Sequence, residues 1–456
     1  MKKKVLLIEI IISIISFFVC LINNPLNGYK ILYILPLTYL ILRTLLNNSI
    51  NYKNIGCVFL DILTFIKYSI MPLLIVIMKD YYAGFLTKQI PISNDIELSI
   101  LLILGECITI FICIYLYNLI KNKNEYSNSY NKIKFGPIMF ILYTLFIILL
   151  IFNLNLYLPQ QFLVINGTYN RLIILNTISK IIKKIFYFVN LFTLLYLTQY
   201  YLNKYNKYKK NKYIILILIT LLIYLGLNTS TSRWNLVIPV IIYTYLLKDI
   251  IFKTLKNKIV IFIGISILSL SFISITLYKF DYIFNNNKIS NKNIVVILCG
   301  QLQEYFSGPR TVAQSLEMTT YYKEYINYET LSNDFLGQIP IVSNKINSNN
   351  KINIYYNYFL KGKKSKPTQI IPMVSVGYIY FGFPICYIFT IIVTLLTLII
   401  GNSLIKSNNI FHKYINTYLC FWLSMGIGLN HQILFRWFIA TYIPFNIIYY
   451  LNNKIK

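Results

Sequence analysis

Apolar and polar positions alternate along this chain in long blocks, at neither a strand period nor a surface-helix period. Apolar runs occupy residues 5–22, 29–47, 57–79, 97–120, 136–152, 184–202, 213–228, 235–252, 259–279, 377–401, 411–429 and 433–450, separated by stretches rich in Asn, Lys and Tyr. A bilayer core is about 30 Å thick and a helix rises about 1.5 Å per residue, so a run of this length crosses once. The pattern predicts an all-α, polytopic bundle of about 12 transmembrane helices. One long interruption, residues 280–372, divides the chain into helices within 1–279, a large soluble loop, and helices within 373–456. A connection of that length exceeds ordinary linkers, and such loops usually bind or cover a ligand. Within it, good helix formers stand on both sides of a Gly308-Pro309 break, which predicts short helices lying on the membrane surface.

Composition agrees with a membrane protein. The 456 residues are 57% hydrophobic and only 12% charged, more apolar surface than a soluble domain of this size can bury. The formal net charge of +29 would suggest nucleic acid in a soluble chain. Here the lysines fall in alternate loops: Lys121, Lys123, Lys132 and Lys134; then Lys204, Lys207, Lys209, Lys210 and Lys212; then Lys248, Lys253, Lys256 and Lys258. The loop near Asp80, Asp95 and Glu97, on the opposite side of this topology, is acidic. By the positive-inside rule the lysine loops and both termini are cytoplasmic, so membrane lipids, not nucleic acid, are the expected polyanionic partner. Met1-Lys2-Lys3-Lys4 before an apolar run resembles a signal peptide, but no small-residue cleavage site follows, and a retained first helix is expected. The seven cysteines show no CxxC or His/Cys cluster, so neither a disulfide framework nor a metal site is expected.

Charges inside the apolar runs need partners. Lys67 lies near the middle of the third run and Glu106 near the middle of the fourth, at similar depth when counted from opposite faces. A structural Lys67–Glu106 pair is the simpler account, with a proton or ion relay as the other reading. Asp61 is placed to meet Arg43 in the same way.

Of the five arginines, Arg171, Arg233, Arg310 and Arg436 all fall on the outer side of this topology. Guanidinium presents a planar fork matched to phosphate oxygens, which lysine does not. Arg233, in the turn Ser232-Arg233-Trp234, points either into the mouth of the bundle or along the lipid headgroups. Arg310 follows Gly308-Pro309, a helix start whose exposed N–H groups attract anions; the plain alternative is a loop helix start with no ligand. Arg436 is expected about one turn inside the last apolar run, and His431 at its outer end acts either as a cap or as a base.

The Ser-Arg-Trp turn at 232–234, the run Gln-Glu-Tyr-Phe-Ser-Gly-Pro-Arg at 303–310, the segment Gly-Tyr-Ile-Tyr-Phe-Gly-Phe-Pro at 377–384 and Arg-Trp at 436–437 carry a likeness across nearly the whole layout. The chain resembles the oligosaccharide repeat-unit polymerases of the Wzy type, which make O-antigen and capsular polysaccharide. The resemblance implies a GT-C-like bundle in the bacterial cytoplasmic membrane. It implies a metal-independent glycosyltransferase without cofactor that joins undecaprenyl-diphosphate-linked oligosaccharides on the outer face, with a chain-length regulator as a possible partner. Diphosphate binding would then fall to Arg233, Arg310 and Arg436, and the base would be Glu304 or His431, with Asp334 and Glu317 also open. Three rivals stand beside it. A ligase would move finished polymer from the same lipid. A flippase would place its cations at mid-depth and would have little use for the long loop. An acyltransferase would want an acid beside its histidine, and His431 has none nearby in sequence.

Overall fold

The computed structural model of the protein describes residues 2–23, 26–79, 91–120, 136–152, 177–226, 234–251, 300, 302–339, 342, 346, 350–362, 369–405, 407 and 409–454. The described elements are helical: α1 (Lys2–Ile22), α2 (Ile34–Leu45), α3 (Ile55–Phe65), α4 (Met71–Ile77), α5 (Ser93–Ile120), α6 (Pro137–Phe152), α7 (Thr177–Tyr208), α8 (Lys212–Gly226) and α9 (Trp234–Ile251). After these come α10 (Pro309–Tyr322), α11 (Tyr328–Leu336), α12 (Ile352–Lys361), α13 (Met373–Phe381), α14 (Ile388–Ser403), α15 (Ile410–Ser424), α16 (His431–Trp437) and α17 (Ile443–Lys454). Among the described residues five helices are long and apolar enough to cross a membrane: Lys4–Ile22, Ile55–Ile77, Ser93–Ile120, Lys184–Tyr208 and Ile385–Ser403. Four shorter apolar helices accompany them, and the expected run at 259–279 lies outside the described residues.

The apolar runs and the described helices coincide closely, but four of the runs are interrupted. The run 377–401 is not one helix, because Gly382, at φ +67°, and Pro384 separate α13 from the Ile385–Tyr387 turn that leads into α14. The run 57–79 is interrupted by a wide π turn over Ile66–Ile70. Pro72 explains it: proline has no N–H to give and its ring crowds the preceding turn, so the helix loosens just before it. The last two runs are also broken, by the turn Met425–Ile427 and by a π turn over Phe438–Tyr442.

The chain folds as two compact units, one of 1–127, 291–406 and 419–442, the other of 128–290, 407–418 and 443–456. In the first, α1 packs on the π turn through serines: Ser13 Oγ lies 2.9 Å from Ser69 Oγ, and Ser16 donates to the Ser69 carbonyl at 2.8 Å. Arg43, fully buried, ties α1, α2 and α3 together, with Nε 2.8 Å from Glu9 and 3.0 Å from Asp61. Its other nitrogens reach Tyr52 at 2.5 Å and Asn47 at 3.2 Å. In the same unit α10, α12 and α13 share a core of Met318, Ile352, Tyr356, Leu360, Ile371 and Val376. In the second unit, Thr198 and Tyr243 hydrogen-bond at 2.9 Å between α7 and α9. Phe192 stacks on Phe445 at 4.8 Å between α7 and α17.

Candidate functional site

The site lies in the first unit and grows from the run Gln303–Arg310. Residues 302–305 are helical, and the Gly308 N–H closes the following turn on the Gln303 carbonyl at 2.8 Å. Ser307 has φ +51°, a left-handed conformation that costs a side-chain-bearing residue about 1–2 kcal/mol. It is held there by its hydroxyl, which donates to the Gly428 carbonyl at 3.1 Å. Gly308 caps α10 with Pro309 in the first turn, and a Cβ on Gly308 would sit 3.1 Å from Met71 Sδ. Gly428 is tighter still, since a Cβ there would meet the Tyr305 carbonyl oxygen at 2.1 Å. The Ser-Gly-Pro run is therefore a tight junction with a specific partner strand of chain.

The turn brings Glu304 within electrostatic reach of Arg310. Arg310 is buried in the first turn of α10, and its guanidinium acts electrostatically on the Glu304 carboxylate. Gln369 donates to that carboxylate and Lys361, from the end of α12, adds a second cation. Burial outweighs all three and leaves the Glu304 carboxyl above its usual range. Tyr356, fully buried on α12, donates to the Thr311 carbonyl at 3.3 Å and feels both Arg310 and Glu304. The result is a compact cluster in which two cations outnumber one acid.

The second half of the site is His431. It opens α16, where Asn430 caps the helix by accepting from Ile433 N–H at 3.0 Å. Its ring stacks on Phe389 at 5.2 Å and lies against Phe335 at 4.8 Å. On its Nε2 side stands Asp334 of α11, with Oδ2 at 3.5 Å. Asp334 is fully buried, and its other oxygen accepts from the Ile352 N–H at 3.2 Å, capping α12. Burial raises the Asp334 carboxyl above the ordinary carboxylate range, partly offset by His431. Among the described residues, neither ring nitrogen of His431 nor Asp334 Oδ2 has a hydrogen-bond partner, and the nearby Tyr380 hydroxyl has none either. Buried polar atoms are rarely left unmet, so this group around one imidazole has bonding capacity to offer a ligand.

The acid that sequence inspection found missing beside His431 is thus supplied from α11. No local signal announced it. Glu317, another candidate base, is engaged elsewhere: it accepts from the Ile92 N–H at 2.5 Å and ties α10 to the approach to α5. Arg436 is exposed, contrary to the expected burial in the last run. Five helical positions turn roughly 140°, so His431 and Arg436 cannot share a face. Arg171, Arg233 and Lys363, Lys364 and Lys366 lie outside the described residues. Among the described residues no trio of His, Cys, Asp or Glu is grouped to hold a metal ion.

The buried charges are paired as the depth count predicted. Lys67 Nζ lies 2.6 Å from Glu106 Oε2, and Tyr68 donates to the same oxygen at 3.0 Å. Asp61 meets Arg43, and Glu9 joins them as a third member that the sequence reading missed. No known protein family, no curated protein and no solved structure matches the chain.

Proposed function

We propose that this is a membrane glycosyltransferase that polymerises undecaprenyl-diphosphate-linked oligosaccharides on the outer face of the bacterial cytoplasmic membrane, within a GT-C-like bundle of about 12 spans. One observation carries the reading. Ser307, three residues before Arg310, bonds the carbonyl of Gly428, three residues before His431, so a cation cluster and a buried histidine share one backbone junction. Glycosyl transfer from a lipid diphosphate asks for that combination.

In the step we envisage, the acceptor hydroxyl oxygen bonds to the anomeric carbon of the donor sugar. The bond from that carbon to the diphosphate oxygen breaks, and the diphosphate leaves with the electron pair. Arg310, with Lys361 beside it, stabilises the charge that develops there. The hydroxyl proton passes to His431 Nδ1, the nitrogen turned away from Asp334, while Asp334 stabilises the imidazolium through Nε2. Glu304 balances the cations before substrate binds, and its raised affinity for a proton eases its neutralisation when a phosphate anion replaces it.

The test is surface-glycan length on a gel in a strain lacking the gene, complemented with wild type or Arg310→Ala. Loss of the ladder with single units still reaching the surface, unrestored by Arg310→Ala, supports the reading. Long polymer left on its lipid carrier would instead identify a ligase. Lipid-linked single units held on the cytoplasmic side would identify a flippase, and the role of Arg310 would fall with the reading.

A further inference from the structure

The helix that leads into His431 breaks at Gly428–Asn430, and the break leaves main-chain carbonyls to be met. The N–H groups of Gly428 and Leu429 both turn to the Met425 carbonyl, each at 2.9 Å. The carbonyls of Ile427 and Gly428 are met by side chains from other elements: Ser307 donates to Gly428, and Lys67 donates to Ile427 at 2.6 Å. Lys67 is fully buried on the π turn, and its ammonium divides itself between Glu106 and this one carbonyl, both at 2.6 Å. A buried ammonium has three N–H groups to place, and here one of them goes to a main-chain oxygen at the break. A charge-assisted bond to a helix-end carbonyl is about twice as strong as a neutral one and fixes its position closely.

We propose that Lys67 is a positioning residue for the His431 site. It anchors the break from the membrane side while Ser307 anchors it from the soluble side, so that His431 opens α16 facing Asp334. Glu106 and Tyr68 hold the ammonium in its aim. The π turn ahead of Pro72 carries Lys67, and the same segment supplies Met71 against Gly308. One short stretch of helix thereby underpins both halves of the junction. The effect on turnover rests on the glycosyltransferase reading; the effect on His431 does not.

The experiment uses the full-length protein in lipid nanodiscs. Lys67→Met alone leaves Glu106 buried without a counter-charge and threatens folding, so the decisive variant is the neutral double, Lys67→Met with Glu106→Gln, with Lys67→Arg as the conservative rescue. The chain has only two histidines, so carbethoxylation of His431 is followed by mass spectrometry against His412 as internal reference. The expected result is a double variant that melts near wild type, with His431 modified at least about fivefold faster and kcat lowered about 10- to 100-fold at nearly constant KM, as for a catalytic group misplaced by about 1 Å. Lys67→Arg recovers most of both. Wild-type protection of His431 in the double variant overturns the proposal. Faster modification of His431 with unchanged turnover upholds the positioning and removes His431 from the reaction.

Discussion

Three buried charge clusters in the first unit are built on two different terms. Arg43 is bonded on every side, to Glu9, Asp61, Tyr52 and Asn47, and Lys67 holds two acceptors at 2.6 Å. His431, also buried, has Asp334 at 3.5 Å and, among the described residues, no hydrogen bond on either ring nitrogen. A cation engaged so completely gives up its bonds only when the protein comes apart, so it holds helices together. A base left with open bonds next to a carboxylate remains available to a ligand. Low dielectric strengthens a completed network and penalises an incomplete one, and that penalty is tolerated where binding later removes it.

The sharpest way to break the comparison is to remove the cation that ties α1, α2 and α3 together. Arg43→Met leaves Glu9 and Asp61 buried without their counter-charge and should destabilise the protein by about 3–5 kcal/mol. Thermal unfolding in detergent checks it, and a melting point within a degree or two of wild type would show the cluster to be solvated. Next in size is His431→Ala, expected to lower turnover of lipid-linked units about 10²- to 10⁴-fold with little change in melting. Equal losses of turnover and stability would make His431 a packing residue. Asp334→Asn keeps an oxygen to cap α12 but loses the charge behind the imidazole, so turnover should fall about tenfold or more while the fold persists. Ser307→Ala removes one bond at the junction and should cost about 1 kcal/mol of stability. A neutral result there would mean that Gly428 is held by shape alone.

The smallest effect is on pH dependence. The Glu304 carboxyl is raised above its ordinary 4.5 in the folded protein, so the folded state holds that proton more tightly than the unfolded one. Stability from this group is therefore greatest below pH 4.5 and declines as pH rises through the folded value. Glu304→Gln should flatten that decline in melting curves taken from acid to neutral pH. An unchanged slope would show that another group titrates.

The amino-acid sequence by itself determined the helical class, the positions of most apolar helices and the need for Lys67 and Asp61 to find partners. These follow from local physics: a fixed rise per residue, a fixed bilayer thickness and the penalty on an unpaired charge in an apolar run. The Gly308-Pro309 break was legible for the same reason, since proline and glycine act on their own neighbours. Glu9 stands inside the first apolar run, so the same rule called for a partner there, and only the structure shows that the partner is Arg43. The Asp334–His431 pair, the exposure of Arg436 and the meeting of Lys67 and Ser307 at one broken helix were decided by tertiary structure alone. They depend on which carbonyls a break leaves unmet and on which face each helix turns inward. Those are properties of packing between distant segments, and no periodicity along the chain records them.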